Sequence, residues 1–496
     1  MDGQDTYTEL APDLRISRVV TGLWQIADME RDDRSLDHEQ AARAMQAYSS
    51  VGLTTFDMAD HYGSAEEIAG LFSSKYASGD AVQMLTKWVP QPGGSTRETV
   101  REAVQRAVDR LQTDKLDLLQ YHAWNYADPS YLDDLAYLQE LQDEGLIRHL
   151  GLTNFDTAHL RVVLASGIRV VSNQVCYSLL DQRAGGNMTR LCAEKSVKIL
   201  AFGTLAGGFL TDRWLDEPEP DIASLATWSQ MKYKRYIDEA GGWAAFQRLL
   251  QAVRKTADQH AVSIANIASR YILEQPVVSG VIIGARLSEN EHIRDNLKLL
   301  NFEIGDDSDA TLQPAIDEMV TIPGDCGDEY RKPPYLTASG DLSHHLDNLP
   351  PPYSTQTGAD GRAQALSGTK WEDIAGFSRA VRIGDRILVS GTTATHGDRV
   401  IGAGDPQAQT DFIIDKIEGA LQSLGGDLNN VVRTRIYVRN IEDWEAVSSV
   451  HGMRFAHIKP ANTLVKADLV GDDYLVEIEA EAIAPQEEQG SAERRD

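Results

Sequence analysis

The amino-acid sequence predicts an α/β chain: a closed (β/α)8 TIM barrel followed by a smaller α+β domain. Three observations carry that reading. Apolar strand candidates recur near residues 16–24, 52–57, 81–87, 115–122, 146–152, 169–176, 197–202 and 278–283, with helical patterns between most of them. That alternation fades after a helix near 288–300 and a last helix over 309–320, and Pro- and Gly-rich stretches follow. A different order of elements, ββαβαββ, then begins near residue 365. A chain of 496 residues exceeds what one hydrophobic core supports, which also predicts more than one domain.

Repeated strand-then-helix units imply parallel strands joined by right-handed crossovers, and eight of them suit a closed barrel. The helical segments show the required spacing: after Glu98, apolar residues fall at 100, 103, 104, 107, 108 and 111. A doubly wound sheet would announce a nucleotide site with G-x-G-x-x-G after its first strand, whereas this chain reads Thr21-Gly22-Leu23-Trp24 there. The interval 210–262 reads as an elaborated βα loop; its Trp214, Trp228, Tyr233, Tyr236 and Trp243 suit either a pocket wall or packing.

Composition narrows the function classes. Lys plus Arg number 47 against 75 Asp plus Glu, a net charge of −28, which disfavours sequence-independent binding to nucleic acid and docking on anionic lipid. The three cysteines, Cys176, Cys192 and Cys326, have no metal spacing and read as reduced thiols. No signal peptide and no membrane-length apolar run is visible, so a cytoplasmic protein is expected.

Three strand ends carry reactive groups. Leu53-Thr54-Thr55-Phe56 empties into Asp57-Met58-Ala59-Asp60-His61-Tyr62-Gly63; Lys87 ends Val82-Gln83-Met84-Leu85-Thr86; His122 ends Leu116 to Tyr121. In barrels of this type, reactive groups sit at the C-terminal ends of the strands. The set and its order resemble the aldo-keto reductase family over roughly the first 320 residues. The family's D-x-A-x-x-Y-G stands at 57–63, and Gly151-Leu152-Thr153-Asn154-Phe155, Asn173-Gln174 and Ile283-Gly284-Ala285-Arg286 follow in order. The resemblance implies a carbonyl reductase with Tyr62 as general acid, Lys87 as its electrostatic tuner, Asp57 as the lysine's partner and His122 orienting the substrate oxygen. Physical chemistry supports these roles. A phenol of pKa ~10 is a feeble acid at neutral pH, and an adjacent ammonium strengthens it.

The resemblance also implies a bound NADP. Thr153, Asn154 and Gln174 would hold the nicotinamide carboxamide, and Phe202 would stack on the ring where the family often has tyrosine. Gly22, Leu23, Trp24 and Asp57 would lie nearby. Gly203, Thr204, Leu205 and Gly207 belong to a small-residue loop like the family's pyrophosphate cover, with Thr204 in place of its proline. Ile283, Gly284, Ala285, Arg286, His292, Asp295 and Asn296 match the adenosine end, where the Arg286 guanidinium would suit a 2′-phosphate. Trp24, Trp88, Trp124 and Tyr126 are the expected substrate pocket.

With the barrel ending at 322, residues 323–362 read as a linker, rich in Pro, Gly and Asp. The paired His344 and His345 lack other ligands at metal spacing, and no metal site is expected. The second domain spans 363–487, with 488–496 a disordered tail. Strands over 378–383 and 386–390 joined by Gly384-Asp385 make a hairpin signal. A helix over 405–425, a strand at 431–438, a helix at 442–457 and strands at 462–469 and 474–484 follow. Phe377-Ser378-Arg379-Ala380-Val381, Val389-Ser390-Gly391, Val432 to Val438 and Val476 to Ala480 resemble the Rid/YjgF family. That implies a chorismate-mutase-like fold, trimers with pockets between subunits, and in active members hydrolysis of enamines and imines. The expected pocket residues are Phe377, Ser390, Asn462 and Glu477. Two depart from the deaminating pattern: Asn462 stands for the carboxylate-clamping arginine after Pro460-Ala461, and Phe377 for a tyrosine.

The combined expectation is an NADP-dependent aldehyde or ketone reductase fused to a divergent Rid domain. That domain would trimerise the protein or act on an imine precursor. The contrasting reading is a nicotinamide-binding sensor or assembly protein without turnover.

Overall fold

The computed structural model describes residues 6–30, 35–77, 82–287, 292–331, 345–346 and 349–485. The expected tail at 488–496 and His344 lie outside these.

The chain opens with an antiparallel hairpin of β1 (Tyr7–Ala11) and β2 (Leu14–Ser17), which the strand pattern did not predict. Leu10, Ala11, Leu14 and Ile16 bury against Val20, Leu85, Leu118 and Leu200, the inward side chains of the barrel strands. The hairpin therefore stoppers the mouth at the strands' N-terminal ends, where Ser17 donates its backbone N–H to Thr55.

The barrel itself matches expectation. β3 (Val19–Gly22), β4 (Thr55–Asp57), β5 (Gln83–Trp88), β6 (Leu116–Tyr121), β7 (Ile147–Thr153), β8 (Ser172–Cys176), β9 (Lys198–Phe202) and β10 (Val278–Gly284) pair in order, and β10 closes on β3. Burial on both faces explains why these strands read as continuous apolar runs. The helix Arg97–Leu111 shows how the outer layer is specified. Thr96 caps its first turn, and Val100, Ala103, Val104, Ala107, Val108 and Leu111 are its buried stripe.

The segment expected to link the domains is partly built into them. Residues 323–331 pack on the barrel: Arg183 bonds Asp181 and Glu329 in a fully buried cluster, and Arg331 donates to the Asn154 carbonyl at 2.6 Å. Further on, Ser354–Thr357 is a strand, β11, paired with β12 (Ala363–Leu366). The sheet continues through β13 (Ala380–Ile383) and β14 (Arg386–Thr393). A short pair, β15 (Thr395–His396) and β16 (Arg399–Val400), precedes β17 (Val431–Val438), β18 (Ala461–Lys466) and β19 (Val476–Ile483). Its order is β11-β12-β13-β14-β19-β17-β18, and only β17 and β18 are parallel. Gly384 takes φ 62° in the two-residue turn where Ile383 faces Arg386, the backbone a tight hairpin requires.

The helix Pro406–Ser423 is buried nearly all round because it lies between its own sheet and the barrel helix Thr157–Ala165. A Cβ on Gly419 would collide with the Ala127 carbonyl, so glycine permits this approach. The seam is charged. His159 sits between Asp156 (2.7 Å) and Asp415 (2.9 Å), and Arg454 bonds the other oxygen of Asp415 at 2.6 Å. Burial opposes a charge on His159, but the two carboxylates outweigh it and push its pKa up to about 10. A raised histidine contributes stability that is complete below its unfolded pKa of ~6.5 and is lost as pH rises toward the folded value. We therefore expect chemical denaturation of the wild type to show stability falling between pH 6.5 and about 10. A His159→Gln variant should show less of that slope, and equal slopes would contradict the assignment.

Candidate active site

The four strand-end residues meet at the C-terminal mouth of the barrel. Lys87 Nζ donates to Asp57 Oδ2 at 2.6 Å and to the Met58 carbonyl at 2.8 Å, with both charged side chains at most 5% exposed. Asp57 Oδ1 accepts from Gln120 (3.1 Å) and Gln174 (2.7 Å), so both carboxylate oxygens are held. The lysine ammonium lies 5.0 Å from the centre of the Tyr62 ring. Burial draws the Lys87 pKa below its ordinary value, opposed by Asp57.

His122 follows β6 into the same mouth. It is buried, neither ring nitrogen makes a hydrogen bond of ordinary geometry, and the rings of Trp124 and Tyr330 stand 4.5 and 5.7 Å away. Burial and then the Arg331 guanidinium hold its pKa well below the usual histidine range, so the imidazole is neutral at pH 7. A neutral imidazole can donate one hydrogen bond to an oxygen while a neighbour supplies the proton.

These groups open into a cavity of about 730 Å³. Of the residues expected at the cofactor, all line it except Leu23 and Ala285, which are buried beside it. Phe202 presents its ring, and Asn154 places a buried Oδ1 without a hydrogen-bond partner in the wall. Thr204 is held by Ser269 at 3.1 Å. Gly207, at φ 63°, does structural work: a Cβ there would approach the Ser229 carbonyl to 2.7 Å, blocking the helix Trp228–Glu239 from lying over the cavity.

The substrate-pocket expectation divides. Trp24 and Trp124 line the cavity, Trp24 edge-on to Tyr62 with ring centres 4.9 Å apart. Trp88 and Tyr126 do not. Trp88 follows Lys87 in a strand, so the alternation that sends the lysine inward sends the tryptophan outward, 5.7 Å from the Tyr121 ring. Tyr126 stacks on His159 with ring centres 3.4 Å apart, in the seam between the domains. In the long βα loop, Trp214, Trp228 and Tyr233 line the cavity, while Tyr236 and Trp243 pack behind it.

Sequence reasoning missed three contributors. Gln120 carries a local signal, an amide in an apolar strand two positions before His122 and therefore on its face. Lys232 and Tyr330, bonded to each other at 2.5 Å, reach the cavity from a loop helix and from the segment read as linker. Only tertiary contacts reveal them.

The expected Rid-domain residues do not converge within one chain. Phe377 lies by Arg379, whose guanidinium carbon is 5.3 Å from its ring centre and whose Nη1 bonds the Gly391 carbonyl at 2.8 Å. Ser390 and Glu477, on the neighbouring strands β14 and β19, belong to the same end. Asn462 sits on the edge strand β18, bonded to Thr434. It is three strand spacings from β14, on the order of 14 Å.

Comparison with known proteins agrees with this architecture. The Aldo/keto reductase family model matches residues 18–317, and the Endoribonuclease L-PSP model, which covers Rid proteins, matches 368–484. The chain belongs to the aldo/keto reductase family, a family of carbonyl oxidoreductases, and carries a Rid domain behind the barrel. The NADH-specific methylglyoxal reductase of Escherichia coli is 26% identical over 323 residues, spanning 60% of this chain and 94% of that protein. The glycerol dehydrogenase of Gluconobacter oxydans shares the fold at TM-score 0.55 and 20% identity, covering 65% of this chain and 98% of that one. An uncharacterized protein of Streptomyces coelicolor is 38% identical over 117 residues, 23% of this chain and 87% of that protein.

Proposed function

We propose that the barrel reduces an aldehyde or ketone to the alcohol with NADPH, with Tyr62 giving the proton. The observation that carries this reading is the buried Lys87–Asp57 pair set against the Tyr62 ring and beside a neutral His122, in one cavity. A bound nicotinamide supplies the hydride that no side chain can. The residues present fit that group. Phe202 offers a face for stacking, and the unpartnered Asn154 Oδ1 suits a carboxamide N–H. Gln174 commits its Nε2 to Asp57 and Gln120, which leaves its oxygen as an acceptor.

The protein's own part is electrostatic and positional. Lys87 makes the phenol a stronger acid, Asp57 fixes the lysine, and Gln120 and Gln174 fix Asp57. His122 donates to the carbonyl oxygen, and Trp24 and Trp124 exclude water around it. Arg286, in the cavity wall, is the proposed 2′-phosphate contact, although one relative is by name NADH-specific. Initial rates with NADPH and NADH across a carbonyl panel test this. NADPH is expected to win, and Arg286→Ala to raise the KM for NADPH by about tenfold or more, the loss of a charge-assisted contact. Turnover that prefers NADH would keep the reductase and remove the phosphate assignment.

For the second domain we propose assembly rather than deamination of an amino-acid imine, since Asn462 carries no charge to clamp a carboxylate. The unit is taken as 363–487, behind a barrel ending at 322. Leu388, Val432, Val465 and Ile483 are 41–48% exposed, an apolar population that suits burial between copies. Light scattering is expected to give about three times the 54.7 kDa chain mass, and a monomer would contradict the proposal.

A further inference from the structure

A general acid that gives up its proton in every turnover must regain one before the next. The groups around Tyr62 differ in how they could return it. Lys87 and Asp57 are 4% and 5% exposed, and His122 is buried and neutral. Trp24, edge-on to the phenol ring, donates its indole N–H to Ser229 Oγ at 3.1 Å. His61 differs from all of these. Its ring packs edge-on to Tyr62 with centres 4.8 Å apart, it lines the cavity, and its side chain is 24% exposed. The imidazole thus meets the phenol on one side and solvent on another.

A neighbouring carboxylate completes the arrangement. His61 Nδ1 lies 3.0 Å from Asp60 Oδ1. A carboxylate oxygen only accepts, so Nδ1 carries the proton in that bond and Nε2 is the nitrogen left to exchange. Asp60 is itself pinned to the end of β5. Its second oxygen accepts from the Val89 N–H at 3.3 Å, and its own N–H donates to the Lys87 carbonyl at 3.1 Å. Arg110 donates to the Asp60 carbonyl at 3.2 Å. A fixed carboxylate holds an imidazole in one tautomer and stabilises the imidazolium. Imidazole is also the side chain best suited to exchange protons with water near neutral pH.

We propose that His61, oriented by Asp60, is the relay that returns a proton to Tyr62 after each reduction. The Nε2–H bond of the imidazolium breaks as the Tyr62 O–H bond forms. Nε2, left with its lone pair, then takes a proton from solvent, while Nδ1 keeps its own against Asp60. This rests on the reductase reading above and adds a step to it. His61 acts through Tyr62 and not on the reacting atoms, so it is a positioning residue.

The test separates the first turnover from those that follow, by stopped-flow NADPH absorbance on the full-length protein in dilute buffer with a carbonyl the wild type reduces. In His61→Ala and His61→Gln the first turnover is expected within about threefold of the wild-type rate, because the phenol is loaded at the start. Later turnovers should slow by about tenfold or more, the reloading step having lost its donor. Added imidazole should restore much of the steady rate to His61→Ala, where it finds the vacated space, and little to His61→Gln. A steady rate unchanged in both variants overturns the inference, as does a first turnover slowed as much as the later ones. A His61→Ala rate indifferent to imidazole overturns it too, and each of these results leaves the reductase standing. A wild type that reduces no carbonyl of the panel removes the reductase reading and this inference with it.

Discussion

Tyr62→Phe is expected to lower kcat for carbonyl reduction by about 10²–10⁴-fold, the usual range for loss of a positioned general acid. Phenylalanine keeps the ring that packs edge-on to Trp24 and removes only the hydroxyl. NADPH affinity, read from cofactor fluorescence, should therefore stay within a few-fold of wild type while turnover collapses. The residual rate would come from His122, which still orients the oxygen. A kcat within tenfold of wild type would show that the proton reaches the product by another route.

The second large effect lies one residue deeper. Lys87→Met removes the cation from a pair in which both side chains are at most 5% exposed, and it leaves the Asp57 carboxylate buried with two amide donors. Breaking one partner of a buried pair costs about 3–5 kcal/mol, far more than the pair contributes net. The variant should unfold at markedly lower denaturant and be nearly inactive. Lys87→Met combined with Asp57→Asn separates the two consequences. The neutral double variant is expected to recover most of the stability and none of the turnover, because the phenol still lacks its neighbouring charge. Recovery of turnover would show that Lys87 is structural.

The readable parts of this chain are those fixed by local periodicity. Eight barrel strands announced themselves because burial on both faces makes them apolar throughout, and Asp57, Lys87 and His122 stood out as polar residues ending such runs. The second domain was readable for the same reason, from the Gly384-Asp385 turn and the long helix behind it. The hairpin Tyr7–Ser17 escaped because its partner surface is the barrel floor, assembled from four distant strands. β11 escaped because Ser354, Thr355, Gln356 and Thr357 are all exposed: an edge strand with no buried side chain carries no hydrophobic signature. Trp88 and Tyr126 were drawn into the expected pocket by adjacency in sequence; in a strand, neighbours face opposite ways, which turns Trp88 outward, and Tyr126 lies in the loop after β6, which carries it to His159 in the seam. Lys232 and Tyr330, 98 residues apart, meet only in the folded chain.

The most direct test of the central claim follows an isotope. NADPH deuterated at the transferable nicotinamide position is supplied with each carbonyl of the panel, and the products are analysed by mass spectrometry. The wild type is expected to form an alcohol carrying one deuterium on the former carbonyl carbon, and Tyr62→Phe to form the same product about 10²–10⁴-fold more slowly. Tight NADPH binding with no deuterium in any product would contradict it and identify the barrel as a cofactor-binding module without turnover.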